Sequence, residues 1–131
     1  FQALRILVNN EISELILGLS KSCNLISKNG VIAVVSFHSI EDRICKFFFN
    51  EISNLRKVSR YLPINNTKEV SFNLIKKKPI LPTKTEIEKN APSRSAKLRA
   101  IKRSTTKKID TKFIFEKFRY LLEVEKITSR L

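Results

Sequence analysis

The sequence predicts an α/β fold, on the evidence of three consecutive patterns. Apolar residues recur every three or four positions over residues 1–26, which indicates a helical face. Val31–Phe37 is an apolar, largely β-branched run broken only by Ser36, which is typical of a strand buried on both faces of a parallel sheet. An amphipathic helical pattern follows. Helix, buried strand and helix in this order indicate a doubly wound sheet, whose ligands collect beyond the carboxyl ends of the strands.

Length and composition favour one cytoplasmic globular domain. The chain has 131 residues, of which 42% are hydrophobic, and no apolar run is long enough to span a bilayer. Cys23 and Cys45 lie in helical patterns without C-x-x-C spacing, so we expect two free core thiols. His38 is the single histidine, and we predict no metal site. Because residue 1 is a phenylalanine inside a helical pattern, we expect the chain to begin within a longer fold.

The positive charge is concentrated in one segment. Of the net charge of +14, residues 56–108 carry sixteen Lys and Arg against three Asp and Glu, whereas residues 1–55 are neutral. Such a concentrated field favours a polyanionic partner, because each neutralised phosphate releases condensed counterions. The alternative is that the charge reflects a generally basic proteome or a solvated face of the protein.

The first half of the chain divides into a helix, a strand and a second helix. The first helix, or two consecutive helices, has Gly18 as a bend and Asn29-Gly30 as its end. Ser39 is the predicted N-cap of the second helix, with Asp42 three residues later. That helix begins at Ile40, runs for about fifteen residues, and turns four apolar side chains to the sheet: Ile44, Phe47, Phe48 and Ile52.

The second half of the chain is predicted to form shorter helices and strands. Thr83 is a predicted N-cap with Glu86 three residues later. The final helix has an apolar stripe that includes Phe118, Leu121 and Leu122. The segments, in chain order, are a loop at 56–68, a strand at 70–75, a short helix at 83–89, a strand at 96–103, a polar linker at 104–111 and a helix at 113–130.

Several classes of active site are excluded. The chain has two glycines, Gly18 and Gly30, and therefore neither a Gly-x-Gly fingerprint nor a P-loop. His38 and Ser39 lack a nucleophile-elbow motif, which disfavours a hydrolase. The remaining candidate set follows the predicted strand, and it is either the substrate-facing wall of a pocket or the polar cap of a helix: Ser36, His38, Ser39, Glu41, Asp42 and Arg43.

Three stretches resemble one family. They are Phe-Gln-Ala-Leu-Arg-Ile-Leu-Val-Asn-Asn-Glu at 1–11, Val-Val-Ser-Phe-His-Ser-Ile-Glu-Asp-Arg at 34–43 and Arg-Ser-Ala-Lys-Leu-Arg at 94–99. In this order and spacing they resemble the C-terminal part of the RsmH (MraW) family of S-adenosylmethionine-dependent methyltransferases, which modify N4 of a cytosine in bacterial small-subunit ribosomal RNA. The resemblance covers residues 1–104, and residues 105–131 are left as a linker and an amphipathic C-terminal helix.

The resemblance implies a Rossmann-like class I methyltransferase sheet. This chain would supply its last parallel strand at 31–37 and a closing antiparallel hairpin near 70–78 and 96–103, with the C-terminal helix as an addition. The S-adenosylmethionine site would lie in an N-terminal part that precedes this chain, so the fragment would be inactive alone.

The resemblance also implies roles for residues and partners. Residues 36–43 would line the target side of the cytosine pocket. The basic hairpin would contact small-subunit ribosomal RNA, free or in the assembled subunit, through Lys76, Lys77, Lys78, Arg94, Lys97 and Arg99. No membrane partner is expected, and the oligomeric state stays open between monomer and homodimer. The competing hypothesis is a non-catalytic RNA-binding or ribosome-associated α/β module.

Overall fold

The computed structural model describes residues 2–53 and 70–128, which belong to two compact units. One unit combines the two ends of the chain, within residues 1–25 and 108–131, and the other lies within residues 26–107. The described elements, in chain order, are α1 (Gln2–Val8), α2 (Glu11–Leu25), β1 (Val31–Ser36), α3 (Ser39–Ile52), β2 (Phe72–Leu74), α4 (Lys84–Lys89), a 3-10 helix (Ala91–Ser95), β3 (Lys97–Arg103), α5 (Lys112–Lys117) and α6 (Arg119–Thr128). None of the described helices has the length and hydropathy that a bilayer crossing requires.

The first unit is helical, and its breaks differ from the predicted ones. Asn10, with a φ of 52°, separates α1 from α2, while Gly18 lies within α2. Asparagine tolerates this left-handed conformation, so it can act as the hinge that the sequence assigned to Gly18. The single predicted helix at 113–130 is also wrong, because Phe118 leaves helical geometry between α5 and α6. The buried side chains of α2 are Ile12, Ile16, Leu19 and Cys23.

The second unit is a three-stranded antiparallel sheet with strand order β1-β3-β2. β1 pairs with β3 from Val31 opposite Lys102 to Ser36 opposite Lys97. β2 pairs with the other edge of β3, which confirms the predicted antiparallel hairpin, although β2 is shorter than the predicted strand at 70–75. The predicted loop at 56–68 lies outside the described residues.

Helix α3 covers one face of this sheet. Its buried residues are Ile44, Cys45, Phe48, Phe49 and Ile52, and they share the core with Ile32, Phe72 and Ile101. Phe47, which was predicted to face the sheet, is half-buried. The prediction that β1 is buried on both faces is wrong for this structure, since Val31 and Val35 are 50% and 51% exposed on the face opposite α3.

Two short-range signals predicted turns correctly. Asn29 adopts a φ of 68° between α2 and β1, where the sequence predicted a left-handed residue. Thr83 is the N-cap of α4, and its hydroxyl accepts a hydrogen bond from the Glu86 amide. Both signals depend on local geometry, which the sequence encodes directly.

Candidate functional site

Polar side chains collect at the carboxyl end of β1. Ser36 ends that strand, is 2% exposed, and donates its hydroxyl to the Lys97 carbonyl at 3.4 Å. The register of β1 against β3 places Ser36 opposite Lys97 and Val34 opposite Arg99. The side chains of Lys97 and Arg99 therefore lie on the same face of the sheet as that of Ser36. Helix α3 begins three residues after Ser36 and covers that face. The structure therefore joins residues of the predicted pocket to residues of the predicted RNA-binding strand.

His38, not Ser39, is the N-cap of α3. Its Nδ1 accepts the Glu41 amide at 3.4 Å, and the Glu41 carboxylate accepts the Phe37 amide at 2.9 Å and the His38 amide at 3.4 Å. These reciprocal contacts form a capping box. Ser39 is the first residue of the helix and is exposed. The predicted Ser39 cap is wrong, because the imidazole supplies the acceptor that a serine hydroxyl was expected to supply.

Asp42 lies between α3 and β3 and pairs with two cations. Its Oδ1 accepts Arg99 Nε at 2.8 Å, and its Oδ2 accepts Arg99 Nη2 at 3.3 Å and Lys97 Nζ at 3.4 Å. Burial by itself raises the pKa of Asp42, but the hydrogen bonds and charges of Arg99 and Lys97 outweigh it and hold the pKa below its ordinary value of 3.8. Asp42 is therefore ionised and forms ion pairs that connect α3 to β3, and it does not cap the helix.

The candidate pocket set divides into inward and outward members. Ser36, His38 and Asp42 make contacts within the sheet unit. Ser39 and Arg43 are exposed, and no carboxylate of the described residues lies within ion-pair distance of Arg43. Arg43 is thus the member of this set whose charge faces solvent.

The predicted RNA contacts also differ in exposure. Lys76, Lys77, Lys78 and Arg94 are exposed. In contrast, the side chain of Lys97 is 41% exposed and that of Arg99 is 10% exposed, both beside Asp42. Residues 26–107 hold eighteen Lys and Arg against six Asp and Glu, a net charge of +12, so the sheet unit carries nearly all the excess charge.

Sequence reasoning missed one structural cation in this unit. Arg103 is 3% exposed and donates to the carbonyls of Thr105 at 2.7 Å, Ile26 at 2.8 Å and Lys107 at 2.7 Å. Its guanidinium also lies 5.7 Å from the Phe72 ring centroid. The sequence signal that could have identified it is the alternation of inward and outward side chains along β3, which places Arg103 on the same inward face as Ile101.

Both cysteines are buried, and neither forms a disulfide, as predicted. Burial is the main cause that raises the pKa of Cys45 to about 12, and the carboxylates of Asp42 and Glu41 raise it further. Because the thiolate is the reactive form, Cys45 is unsuited to nucleophilic chemistry.

Comparison with known proteins identifies the relatives of this chain. The profile of the MraW methylase family matches residues 1–104. Over 79% of the chain, the sequence is 46% identical to a protein of Persephonella marina, 45% identical to one of Oceanobacillus iheyensis and 42% identical to one of Lactiplantibacillus plantarum. Each relative is named ribosomal RNA small subunit methyltransferase H. The chain spans 30%, 32% and 33% of their respective lengths.

Proposed function

The chain belongs to the MraW methylase family, and from this membership we propose that it is part of an enzyme that methylates N4 of a cytosine in bacterial small-subunit ribosomal RNA. The methyl donor is S-adenosylmethionine. The observation that carries the proposal is the match of the family profile to residues 1–104, together with the names of the relatives. The concentration of positive charge in the sheet unit supports an RNA substrate.

The residues that the structure describes do not fit a cradle for S-adenosylmethionine. The two glycines of the chain lie far apart, and neither has a positive φ. A Cβ at Gly30 would approach the side chain of Ile26 to 2.4 Å, so this glycine serves close packing of the chain on itself. We assign cofactor binding to the part of the methyltransferase that precedes these residues, as the resemblance implies, and derive no step through the cofactor.

The contribution of this chain is to position the target base. The turn from Ser36 to Arg43 forms one wall of the cytosine pocket, with the helix cap of His38 and Glu41 holding its backbone. Arg43, which is exposed, binds a phosphate or the base of the extruded nucleotide. These residues act by orientation, since holding the base in one position lowers the barrier to its reaction.

The RNA backbone binds to exposed cations of the sheet unit. Lys76, Lys77, Lys78 and Arg94 are free to approach phosphates, because their side chains are exposed. Contacts of this kind hold the substrate without reading its sequence. Recognition of the particular cytosine is therefore left to the pocket.

The test of the pocket compares two exposed cations on α3 in the full-length methyltransferase. We expect Arg43→Ala to lower methylation of assembled small ribosomal subunits at least tenfold, and Lys46→Ala, the same charge change one turn further along the helix, to leave it near wild type. His38→Ala, which removes the acceptor of the helix cap, should also lower turnover, and His38→Asn should restore it, since asparagine is a good N-cap. Equal activity of Arg43→Ala and Lys46→Ala would contradict the assignment of Arg43.

The second candidate function is a non-catalytic RNA-binding module. The +12 net charge of residues 26–107 favours RNA binding whether or not methyl transfer takes place. Transfer of a labelled methyl group to small-subunit RNA by the full-length protein separates the two functions. Salt-sensitive RNA binding without any methyl transfer would favour the module.

A further inference from the structure

Residues 75–80 run along the edge of β3, and their pairing with β3 is interrupted opposite one residue, Arg99. On one side of it, the Ile75 amide donates to the Ala100 carbonyl at 3.1 Å. On the other side, Ile80 and Leu98 exchange backbone hydrogen bonds of 2.8 and 2.9 Å. Residues 76–79, Lys-Lys-Lys-Pro, lie between these two pairings and face one residue of β3. We name residues 76–79 the lysine arch.

Arg99 contacts both the lysine arch and helix α3. Its Nε and Nη2 donate to the two oxygens of Asp42 at 2.8 and 3.3 Å, and its Nη1 donates to the Lys77 carbonyl at 3.5 Å. Within the described parts of the chain, no other side-chain hydrogen bond reaches residues 76–79. Pro79 lacks an amide donor, so the arch cannot add a ladder bond at that position.

Arg99 is poorly placed to bind a phosphate, because its side chain is largely buried and its charge is paired with Asp42. The side chains of Arg99 and Asp42 are 10% and 14% exposed, and separating them would leave a largely buried carboxylate with the weaker contact to Lys97. An uncompensated buried charge is strongly unfavourable. The side chains of Lys76, Lys77 and Lys78 are exposed and carry no such cost.

We propose that Arg99 is a positioning residue, which is anchored by Asp42 and holds the lysine arch so that its three lysines meet RNA phosphates. This proposal rests on the RNA substrate proposed above and deepens it, because it separates the cations that bind phosphate from the cation that orients them. Arg99 itself does not bind phosphate.

The first test uses Lys77→Gln and Arg99→Gln, which each remove one positive charge. A short single-stranded RNA oligonucleotide is the probe, and its affinity for the full-length methyltransferase is measured over a range of salt concentrations. Losing one phosphate contact flattens the slope of log affinity against log salt by roughly 0.7 for single strands. We expect this change for Lys77→Gln. For Arg99→Gln we expect the wild-type slope with affinity roughly three- to tenfold lower at every salt concentration, because the lysines are no longer held in place.

The Asp42→Asn variant distinguishes a positioning role of Arg99 from a simple effect of net charge on RNA binding. The substitution raises the net charge by one, so charge alone predicts tighter RNA binding. The proposal predicts weaker binding, as for Arg99→Gln, because Arg99 loses its anchor. The double variant should be no weaker than either single variant. Tighter binding with a steeper salt slope in Asp42→Asn, or a flattened slope in Arg99→Gln equal to that of Lys77→Gln, would overturn the proposal.

Amide hydrogen exchange tests the same contact without RNA. Exchange over residues 75–80 should be faster in Arg99→Gln and Asp42→Asn and unchanged in Lys77→Gln. If Arg99→Gln does not fold, Arg99→Lys retains the charge but places all its donors on a single nitrogen, and it should give an intermediate rate. Wild-type exchange in these variants would overturn the role of Arg99. Absence of salt-dependent RNA binding by the wild-type methyltransferase, with the exchange result as expected, would overturn the RNA substrate and the RNA-directed part of this proposal while leaving the arch contact intact.

Discussion

The carboxylate of Asp42 and the guanidinium of Arg99 lie 2.8 Å apart, although 57 positions separate them in the sequence. They come from two of the three stretches on which the family resemblance depends, at 34–43 and 94–99. One stretch begins helix α3 and the other enters β3, so this ion pair fastens the helix to the strand beside the candidate pocket.

The ion pair should make stability depend on pH in acid. Because the pKa of Asp42 is lowered in the folded protein, its stabilising effect is present above the ordinary value of 3.8 and is lost as the pH falls through the lower folded value. We expect Asp42→Asn to lower the free energy of unfolding by about 1 kcal/mol at neutral pH. As the pH is lowered, the free energy of unfolding of this variant should decrease less than that of the wild type. Urea unfolding at a series of pH values measures both. Glu88→Gln, at an exposed site, is the control, and an acid profile of Asp42→Asn equal to that of wild type would contradict the prediction.

Glu125 should stabilise the helical unit from the end of the chain. This residue of α6 is 1% exposed, and its carboxylate accepts the Ile12 and Ser13 amides at 2.9 Å each and the Ser13 hydroxyl. It therefore caps the first turn of α2. We expect Glu125→Ala to lower the free energy of unfolding by about 2 kcal/mol and to speed amide exchange at Ile12 and Ser13.

Glu123→Ala is the matched control for this prediction, because Glu123 is exposed on the same helix. Equal stability of the two variants would show that the cap contributes nothing.

Replacing Arg103 should destabilise the protein even when lysine preserves the positive charge. Its three nitrogens donate to three backbone carbonyls, whereas a lysine at this position can reach only some of them from a single nitrogen. We expect Arg103→Lys to cost about 2 kcal/mol of unfolding free energy and Arg103→Met about 3 kcal/mol, because carbonyls lose their donors. Chemical denaturation measures the loss. Lys102→Gln, at the exposed neighbouring position, should change stability by less than about 0.5 kcal/mol.

The two thiols should resist alkylation in the native protein. Cys23 is fully buried and Cys45 is 1% exposed, and burial together with the carboxylates of Asp42 and Glu41 raises the pKa of Cys45 to about 12. We expect iodoacetamide to modify neither residue at neutral pH until the protein unfolds, and both of them in denaturant. Mass spectrometry of tryptic peptides reports each site separately. Rapid native labelling of Cys45 would show that the interior of α3 opens readily.

Local patterns predicted most of the sheet unit. The strand after Asn29-Gly30, the amphipathic helix after it, the Thr83 cap and the strand ending at Arg103 all appear in the structure. Each depends on a short-range rule, either side-chain periodicity or the conformational preference of one residue. The helix breaks at Asn10 and Phe118 were missed, because the apolar spacing continues through both positions.

Long-range contacts could not be predicted in this way. The sequence suggested Asp42 as part of a cap and Arg99 as a phosphate ligand, and nothing within either stretch reveals that they pair. Likewise, the amphipathic pattern of the last helix does not reveal that Glu125 reaches the start of α2. Such pairings depend on strand register and helix placement, which combine the preferences of the whole chain.

The sequence by itself determined the α/β class, the concentration of charge and the family, because composition, periodicity and a set of ordered motifs are properties of residues along the chain. Only the tertiary structure decided what the charged side chains do. Arg43 and the lysine arch face solvent, while Asp42 neutralises Arg99 and backbone carbonyls hold Arg103. The physical reason is that burial and charge pairing depend on distances in space, and residues far apart in the sequence set those distances.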